Sequence, residues 1–328
     1  MPELRTDPLS GLRVIVAGER ADRPGAFLPP PQRPAIDPQG DPFVPGHEDR
    51  TPPELDREGD PGGPWSVRVV PNLFPALSGE SAEGGEDPLA SGRGEPDLFA
   101  ARPASGSHEV IVNAPDAVWS LSELAPEQVQ RAMAVWRRRM SAHAKSFYVH
   151  LIVNEGREAG ASLPHTHSQL YALPFVPAEV ARERERFTAY AGRTQGRNLL
   201  EDVVQEEVRR RDRLVAVDPE AVLLCPFASR TPFHMQLVPR RPAARFEDEG
   251  PLGAALLHGA LGRLAGALGG LPPLNMWVRT APRGAEHFCW RIEIMPRLAQ
   301  LAGLELGTGV HLNVLTPELA AQRLRENG

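Results

Sequence analysis

The sequence predicts an α+β protein in which one unit, built of strands and a packed helix, occurs twice. Its 328 residues correspond to about two domains of ordinary size. Hydrophobic residues form 41% of the chain, which is enough for real cores. A strand–strand–helix–strand–strand pattern recurs along the chain, although the two copies share little sequence identity.

The first copy of this pattern is the better defined. Strands are predicted where β-branched residues alternate or cluster, at 12–17, 66–77, 107–115, 147–156 and 165–173. Apolar residues at helical spacing predict a helix over 120–144. Residues 25–64, dominated by Pro, Asp, Glu and Gly, and residues 78–107, which contain little to bury, are predicted to be loops.

A highly charged helical region at 177–213 precedes the second copy. That copy consists of a strand, a helix and two strands, at 232–242, 251–268, 274–280 and 287–298. Aligning Pro296 with Pro174 places Cys289 opposite His167 and Arg291 opposite Gln169. The second copy thereby loses the histidine of the first, so we expect the chemistry to lie in the first copy.

Composition excludes several functional classes. A net charge of −6 argues against a broad nucleic-acid surface. The two cysteines, Cys225 and Cys289, form no Cys-x-x-Cys pair, so neither an oxidising compartment nor a thiolate-bound metal is indicated. The amino terminus has no basic segment followed by a long apolar stretch, and no run approaches a membrane span. We therefore expect a soluble cytoplasmic protein without nucleic-acid or membrane partners.

The stretch GASLPHTHSQLYALP, residues 160–174, contains the most unusual side chains. Because side chains alternate along a strand, His165, His167 and Gln169 lie on one face. Two imidazoles and a carboxamide rarely fill a core together, since each needs polar partners. The residues alone leave three interpretations open: a polar structural edge strand, a zinc site that lacks an obvious third ligand, and a nucleophilic imidazole that attacks phosphorus.

The third interpretation makes a specific demand. A neutral histidine is a good nucleophile when one ring nitrogen keeps its proton in a fixed hydrogen bond while the other attacks. The turn from Gly160 to Ser162 can present backbone N–H groups and a hydroxyl to the charge that develops.

The stretch resembles the motif G-x-S-x-P-H-x-H-x-Q of the galactose-1-phosphate uridylyltransferase family, a duplicated branch of the histidine-triad superfamily. The motif stands here as Gly160, Ser162, Pro164, His165, His167 and Gln169. Four further blocks resemble the family in the same order, at 7–24, 42–54, 67–77 and 291–309. The resemblance implies two histidine-triad-like halves, each an antiparallel sheet with packed helices, over residues 1–178 and 179–328.

The resemblance also implies a reaction and a dimer. His167 would attack the α-phosphorus of UDP-glucose, and the covalent nucleotidyl-histidine would pass UMP to a hexose 1-phosphate, in the simplest case galactose 1-phosphate in galactose metabolism. The alternatives are a phosphorylase or hydrolase of nucleoside diphosphate sugars and a non-catalytic nucleotide-sugar-binding protein. A homodimer is expected, in which residues 301–313 reach the other subunit's site.

Supporting residues are carried over one by one. Ser162, Gln169 and Asn154 match positions that hold phosphate oxygens in the family. Arg20 and Arg23 match a pair near the nucleotide, where a planar guanidinium can grip phosphate or stack on a base. Asn72 matches an asparagine beside the ribose, but Leu73 follows where some relatives have an acidic residue. The expected substrates are therefore a nucleotide sugar and a sugar 1-phosphate.

The metal ligands of the family are missing. Relatives form a zinc site from two cysteines, a later histidine and the first motif histidine, and the first three positions here hold Asp41, Val44 and Ala117. Cys289 and Arg291 stand where the family has histidines that help to bind a second metal. We therefore expect both the zinc and the iron site to be lost, and the sequence predicts no particular cofactor. His165 would then be a support whose backbone carbonyl lies near His167.

Overall fold

The computed structural model describes residues 1–20, 27–79, 101 and 103–328. Its elements confirm the α+β class. The strands are β1 (Glu3–Thr6), β2 (Arg13–Val16), β3 (Asp56–Gly59), β4 (Trp65–Pro71), β5 (Ser107–Val112), β6 (Tyr148–Glu155), β7 (His167–Leu173), β8 (Leu214–Val217), β9 (Ala221–Leu224), β10 (Met235–Pro239), β11 (Leu274–Arg279), β12 (Arg291–Pro296) and β13 (His311–Asn313). The helices are α1 (Pro126–Ala142), α2 (Ala178–Arg193), α3 (Leu199–Arg210), α4 (Ala254–Leu268), α5 (Gly303–Thr308) and α6 (Pro317–Glu326).

Ten strands form one antiparallel sheet in the order β3-β4-β5-β7-β6-β11-β12-β10-β9-β8. This order is symmetric about its central pair, because β3 to β7 with α1 repeat as β8 to β12 with α4. The predicted duplication is therefore present, with one more strand at the start of the first copy and two more at the start of the second than the sequence indicates. The two half-sheets join edge to edge where β6 pairs with β11, from Leu151↔Val278 to Glu155↔Leu274. The division of the chain at residue 178 stays a prediction.

The helices α1 and α4 cover one face of this sheet. In α1, Pro126 occupies the first turn, where a missing N–H costs nothing, and the predicted apolar side chains of Val129, Met133 and Trp136 are buried. Alternate residues of β6 pack into the same core, among them Leu151. The opposite face is left to the intervening side chains, many of them polar, and it carries the candidate site.

A second sheet of three strands, in the order β1-β2-β13, ties the two ends of the chain together. β13 runs parallel to β2, so that Asn313 pairs with Val16. The predicted strand at 12–17 is thus confirmed as β2. None of the described helices is long and apolar enough to cross a membrane.

Two predicted segments differ from the structure. The expected loop at 25–64 contains β3, whose sequence DREG has no strand pattern but is held by ion pairs such as Arg138 with Asp56 at 2.8 Å. The charged region at 177–213 is two helices, because Asn198 caps a new one: its Oδ1 accepts hydrogen bonds from the N–H groups of Leu200 and Glu201. Most of the loop predicted at 78–107, residues 80–100 and 102, lies outside the described residues.

The register of the repeat also needs correction. β7 begins at His167 and β12 begins at Arg291, and each then pairs with the equivalent strands of its own half. Arg291 is thus the counterpart of His167, and Glu293 is the counterpart of Gln169. The alignment on Pro296 and Pro174 is wrong by two residues, because β12 ends at its proline whereas β7 ends one residue before its own.

Candidate active site

A cavity of about 330 Å³ opens on the polar face of the sheet, beside the start of β7. It brings together four of the predicted site residues: Asn72, Ser162, His167 and Gln169. Its other walls come from the segment after Asp41 and from the end of β4, with Phe43, Thr51, Val70 and Phe74 among the lining residues.

His167 has the geometry that nucleophilic attack demands. Its Nδ1 lies 2.7 Å from the carbonyl oxygen of His165, to which only a protonated nitrogen can donate. The proton is therefore held on Nδ1, and Nε2 keeps its lone pair, with no hydrogen-bond partner among the described residues. Burial lowers the pKa of His167, which is 5% exposed, so the ring is neutral at pH 7.

His165 fixes that carbonyl group. Its buried ring is held at both nitrogens, with Nδ1 at 2.7 Å from Asp41 Oδ2 and Nε2 at 2.8 Å from the carbonyl oxygen of Ala114. Burial acts to raise the pKa of Asp41, but hydrogen bonding and charge from His165 outweigh it and leave the pKa below its ordinary value. His165 thus lies beside His167, with its carbonyl oxygen 2.7 Å from Nδ1 of that ring, and its supporting role stays a prediction.

The glutamine of the motif is oriented by two residues that sequence reasoning missed. Gln169 Oε1 accepts hydrogen bonds from His108 Nε2 at 2.9 Å and from Tyr171 Oη at 3.0 Å. His108 Nδ1 accepts from the backbone N–H of Ala76 at 3.1 Å, which assigns the ring proton to Nε2. With its oxygen occupied in this way, Gln169 keeps both N–H donors of its amide for an anion in the cavity.

Ser162 follows a tight turn that requires glycine. Gly160 has φ +91°, in the left-handed region, and its Cα lies beside Asn154, whose Nδ2 would be 3.7 Å from an added Cβ. Asn154 Oδ1 accepts from Asn275 Nδ2 at 2.8 Å across the β6–β11 pair. Asn154 is therefore adjacent to the turn at Gly160, although it is not among the residues that line the cavity.

Of the predicted arginine pair, Arg20 is not among the residues that line the cavity. Arg20 is exposed at the end of a short 3-10 turn, Gly18–Arg20, and Arg23 lies outside the described residues. Arg50 lines the cavity instead, with one guanidinium nitrogen donating to the carbonyl oxygen of Gln39 at 2.6 Å. Arg50 falls in the family-like block at 42–54, which is the signal that could have identified it.

The family's metal positions do not fit a metal ion here. Both nitrogens of His165 already have partners, and Val44 and Ala117 offer no ligand atom. Among the described residues, no group of three or more His, Cys, Asp or Glu side chains could hold one. The predicted loss of zinc and iron stays a prediction, and the contacts of His165 favour it.

Comparisons with known proteins agree with the motif. Residues 1–177 match the model of the galactose-1-phosphate uridyl transferase N-terminal domain, and residues 128–327 match a domain of unknown function, DUF4921. The chain is 30% identical to the ADP-glucose phosphorylase of Arabidopsis thaliana over 99% of this chain and 93% of that protein. It is 28% identical to the galactose-1-phosphate uridylyltransferase of Haemophilus influenzae over 99% of this chain and 94% of that one.

A solved structure extends the likeness to three dimensions. The crystal structure of an ADP-glucose phosphorylase from Arabidopsis thaliana with bound ADP-glucose superposes with a TM-score of 0.81 at 28% identity, covering 100% of both chains. The fold and the order of its elements are thus shared along the whole length.

Proposed function

This chain belongs to the galactose-1-phosphate uridylyltransferase family, and we propose that it transfers a nucleotidyl group from a nucleoside diphosphate sugar through a covalent bond to His167. The observation that carries the proposal is the hydrogen bond from His167 Nδ1 to the His165 carbonyl oxygen, at 2.7 Å. It fixes the proton on one nitrogen and directs the other toward the cavity. A binding protein has no need of that arrangement, which argues against a non-catalytic role.

The first half-reaction follows from this geometry. Nε2 of His167 attacks the α-phosphorus, the P–O bond to the β-phosphate breaks, and the electron pair leaves with the sugar 1-phosphate. The positive charge that forms on the ring is stabilised by the carbonyl oxygen that accepts from Nδ1. The free amide of Gln169 and the hydroxyl of Ser162 supply donors for the negative oxygens as they crowd around phosphorus.

The second half-reaction is the same step reversed with another acceptor. An oxygen of the acceptor phosphate attacks the α-phosphorus, the P–N bond breaks, and His167 regains its lone pair without a net proton transfer. A sugar 1-phosphate as acceptor yields a new nucleotide sugar, whereas inorganic phosphate yields a nucleoside diphosphate. The two outcomes differ only in what occupies the acceptor position.

We favour phosphorolysis of ADP-glucose over uridylyl transfer to galactose 1-phosphate. The similarity to an ADP-glucose phosphorylase over 99% of the chain supports this choice. The apolar Leu73 beside Asn72 supports it as well, since it departs from the acidic residue of some uridylyltransferases. Uridylyl transfer between UDP-glucose and a hexose 1-phosphate is the second candidate, supported by the motif and the shared family.

A four-way assay separates these candidates. ADP-glucose and UDP-glucose are each incubated with inorganic phosphate or with galactose 1-phosphate, and products are resolved by anion-exchange chromatography. We expect ADP and glucose 1-phosphate from the first pairing at a kcat/KM at least tenfold above the others. Without acceptor, intact-protein mass spectrometry should show one nucleotidyl group, acid-labile and base-stable. Turnover without any trappable adduct would exclude the covalent route.

We also propose a homodimer. The strand His311–Asn313 pairs with β2 of its own chain. We therefore propose that only residues 301–309 extend to the active site of the other subunit. There α5 exposes two leucines, Leu304 at 41% and Leu306 at 74%. Light scattering should give twice the monomer mass, and Leu306→Asp should shift the protein toward monomer. A wild-type monomer with full activity would contradict this assembly.

A further inference from the structure

A second cavity, which we call the seam pocket, lies on the same polar face where β6 meets β11. Its volume is about 510 Å³, and its lining residues are Tyr148, His150, Pro177, Ala178, Glu179, Arg230, Trp277 and Arg279. It is separate from the cavity that His167 lines, which we call the nucleotidyl cavity, and the two share no lining residue. Trp277 pairs with Ile152, which pairs with Gln169, so two strand spacings, roughly 10 Å, separate the two cavities.

Three buried polar atoms in the seam pocket lack a hydrogen-bond partner among the described residues, although one of them, Arg279 Nε, lies 3.5 Å from the Glu183 carboxylate. Within the described part of the chain, no hydrogen bond is made by Tyr148 Oη, His150 Nδ1 or Arg279 Nε. Tyr148 is 1% exposed and Arg279 is 5% exposed. An unsatisfied buried polar group costs stability, and such groups are rare in folded proteins. The unsatisfied Tyr148 hydroxyl and His150 Nδ1 around one cavity indicate that an absent molecule supplies their partners.

The charged groups around the seam pocket favour an anionic ligand. Arg279 forms ion pairs of 3.5 Å with Glu179 and Glu183 that lack good hydrogen-bond geometry, so an anion would compete with these two carboxylates for it. Arg230 makes no ion pair with any described residue and instead lies over the Trp277 ring, 5.5 Å from its centroid. Burial and the neighbouring Arg279 lower the pKa of His150 to about 3, so His150 is a neutral donor or acceptor.

The start of α2 adds to this field. Pro177, Ala178 and Glu179 line the pocket, and the helix has 16 residues with no side chain capping its first N–H groups. Those N–H groups and the helix dipole favour negative charge at that end. Glu179 is the one acidic side chain in the lining described above, and its side chain is 57% exposed, so it can turn to solvent.

We propose that the seam pocket binds a small sugar phosphate, separately from the nucleotidyl cavity. Arg230, Arg279 and the start of α2 would hold the phosphate monoester, with Tyr148 Oη donating to one of its oxygens. The seam pocket has a volume of about 510 Å³. A water molecule occupies about 30 Å³ in the liquid, so the pocket has room for a sugar ring as well as a phosphate group. The Trp277 indole offers a flat face against which a sugar ring can pack.

The test titrates glucose 6-phosphate, inorganic phosphate and glucose into the full-length protein by calorimetry. Glucose 6-phosphate has no anomeric phosphate and cannot replace the sugar 1-phosphate product. We expect one equivalent to bind, more tightly than inorganic phosphate, with no binding of glucose. Tyr148→Phe should weaken binding on the order of tenfold, because one hydrogen bond to a charged group is lost. Arg230→Met should weaken it by at least as much.

Tyr148→Phe also separates binding from structure. The hydroxyl has no partner in the free protein, so its removal should leave the urea midpoint unchanged or raise it. Tyr190→Phe is the matched control, because that hydroxyl bonds Asp202 at 2.5 Å, outside the pocket, and the variant should bind as wild type does. Ser162→Ala should bind glucose 6-phosphate normally. Absence of saturable binding, or wild-type affinity in both Tyr148→Phe and Arg230→Met, would overturn the proposal.

Discussion

The two halves of the molecule build the same sheet and use its polar face in opposite ways. In the first half, His108 accepts a backbone N–H at Nδ1 and donates from Nε2 to Gln169. In the second half, His234 accepts the N–H of Arg230 at Nδ1 and lies 2.7 Å from Glu293 through Nε2. The two histidines therefore make equivalent contacts, but His108 orients a carboxamide and His234 orients a carboxylate.

That difference decides what each half can do. The amide of Gln169 has donors left over for a ligand, whereas the carboxylate of Glu293 binds Arg291 at 2.6 Å, Gln236 at 3.0 Å and His234. Arg291 in turn occupies the position equivalent to His167 and also bonds Glu183 at 3.0 Å. The carboxylate of Glu293 is thus satisfied within the second half, whereas the amide of Gln169 keeps donors for a substrate. A site differs from a polar core by what remains unpaired.

The largest expected effect comes from removing the nucleophile. His167→Gly deletes the attacking nitrogen but keeps Ser162 and Gln169, so kcat should fall by several powers of ten. The nucleotidyl adduct should disappear from the mass spectrum, while nucleotide-sugar binding by calorimetry stays within a few fold. Comparable turnover in wild type and variant would place the chemistry elsewhere.

The equivalent substitution in the second half should act on stability instead. Arg291→Met leaves the buried Glu183 carboxylate with one remaining cation, Arg279, at 3.5 Å. It leaves the buried Glu293 carboxylate with His234 and Gln236 as its partners. Breaking a buried pair of this kind costs about 3–5 kcal/mol of unfolding free energy, measured by urea titration. Arg209→Met, which removes an exposed pair with Glu206, is the control and should leave the urea midpoint almost unchanged, because solvent screens an exposed pair. Equal midpoints in the two variants would refute the internal role of Arg291.

Changing the residue that the histidine orients tests the comparison of the two halves directly. Gln169→Glu gives the first half the carboxylate of the second, which His108 and Tyr171 can still bind. The fold should therefore survive, but the amide donors are replaced by a charge that repels phosphate. We expect kcat/KM to fall about 100-fold, the usual range for losing a donor to a developing oxyanion. A variant as active as wild type would show that the amide does not face the phosphate.

The smallest effect is expected from metal removal, because neither half has a fitting ligand set among the described residues. Dialysis against a chelator should change neither turnover nor the thermal midpoint, and elemental analysis should find less than one equivalent of zinc or iron. Loss of activity that returns with added zinc would mean that Asp41 and His165 rearrange to bind it.

Local sequence pattern predicted the strands and helices that have clear periodicity, and the family-like motif gathered Ser162, His167 and Gln169, which the structure places around one cavity. It missed β3, β8 and β9, which are four residues each and too short to show a period. It also missed His108, because its contact with Gln169 joins residues 61 positions apart and arises only from the β5–β7 register. Arg20 matches a family block in sequence, yet its exposed side chain is not among the residues that line the cavity.

The β6–β11 junction has a consequence for how the protein can be divided. Each of these strands would be a bare edge if its half stood alone, with a row of unpaired N–H and C=O groups that invites association with other chains. Separately expressed fragments should therefore be poorly soluble, and mixing them should restore a single species. The second link between the chain ends, in which β13 joins β2, would favour the correct heterodimer over pairing of like fragments. The junction makes the two halves complementary parts of one folding unit, even though the chain order keeps them apart.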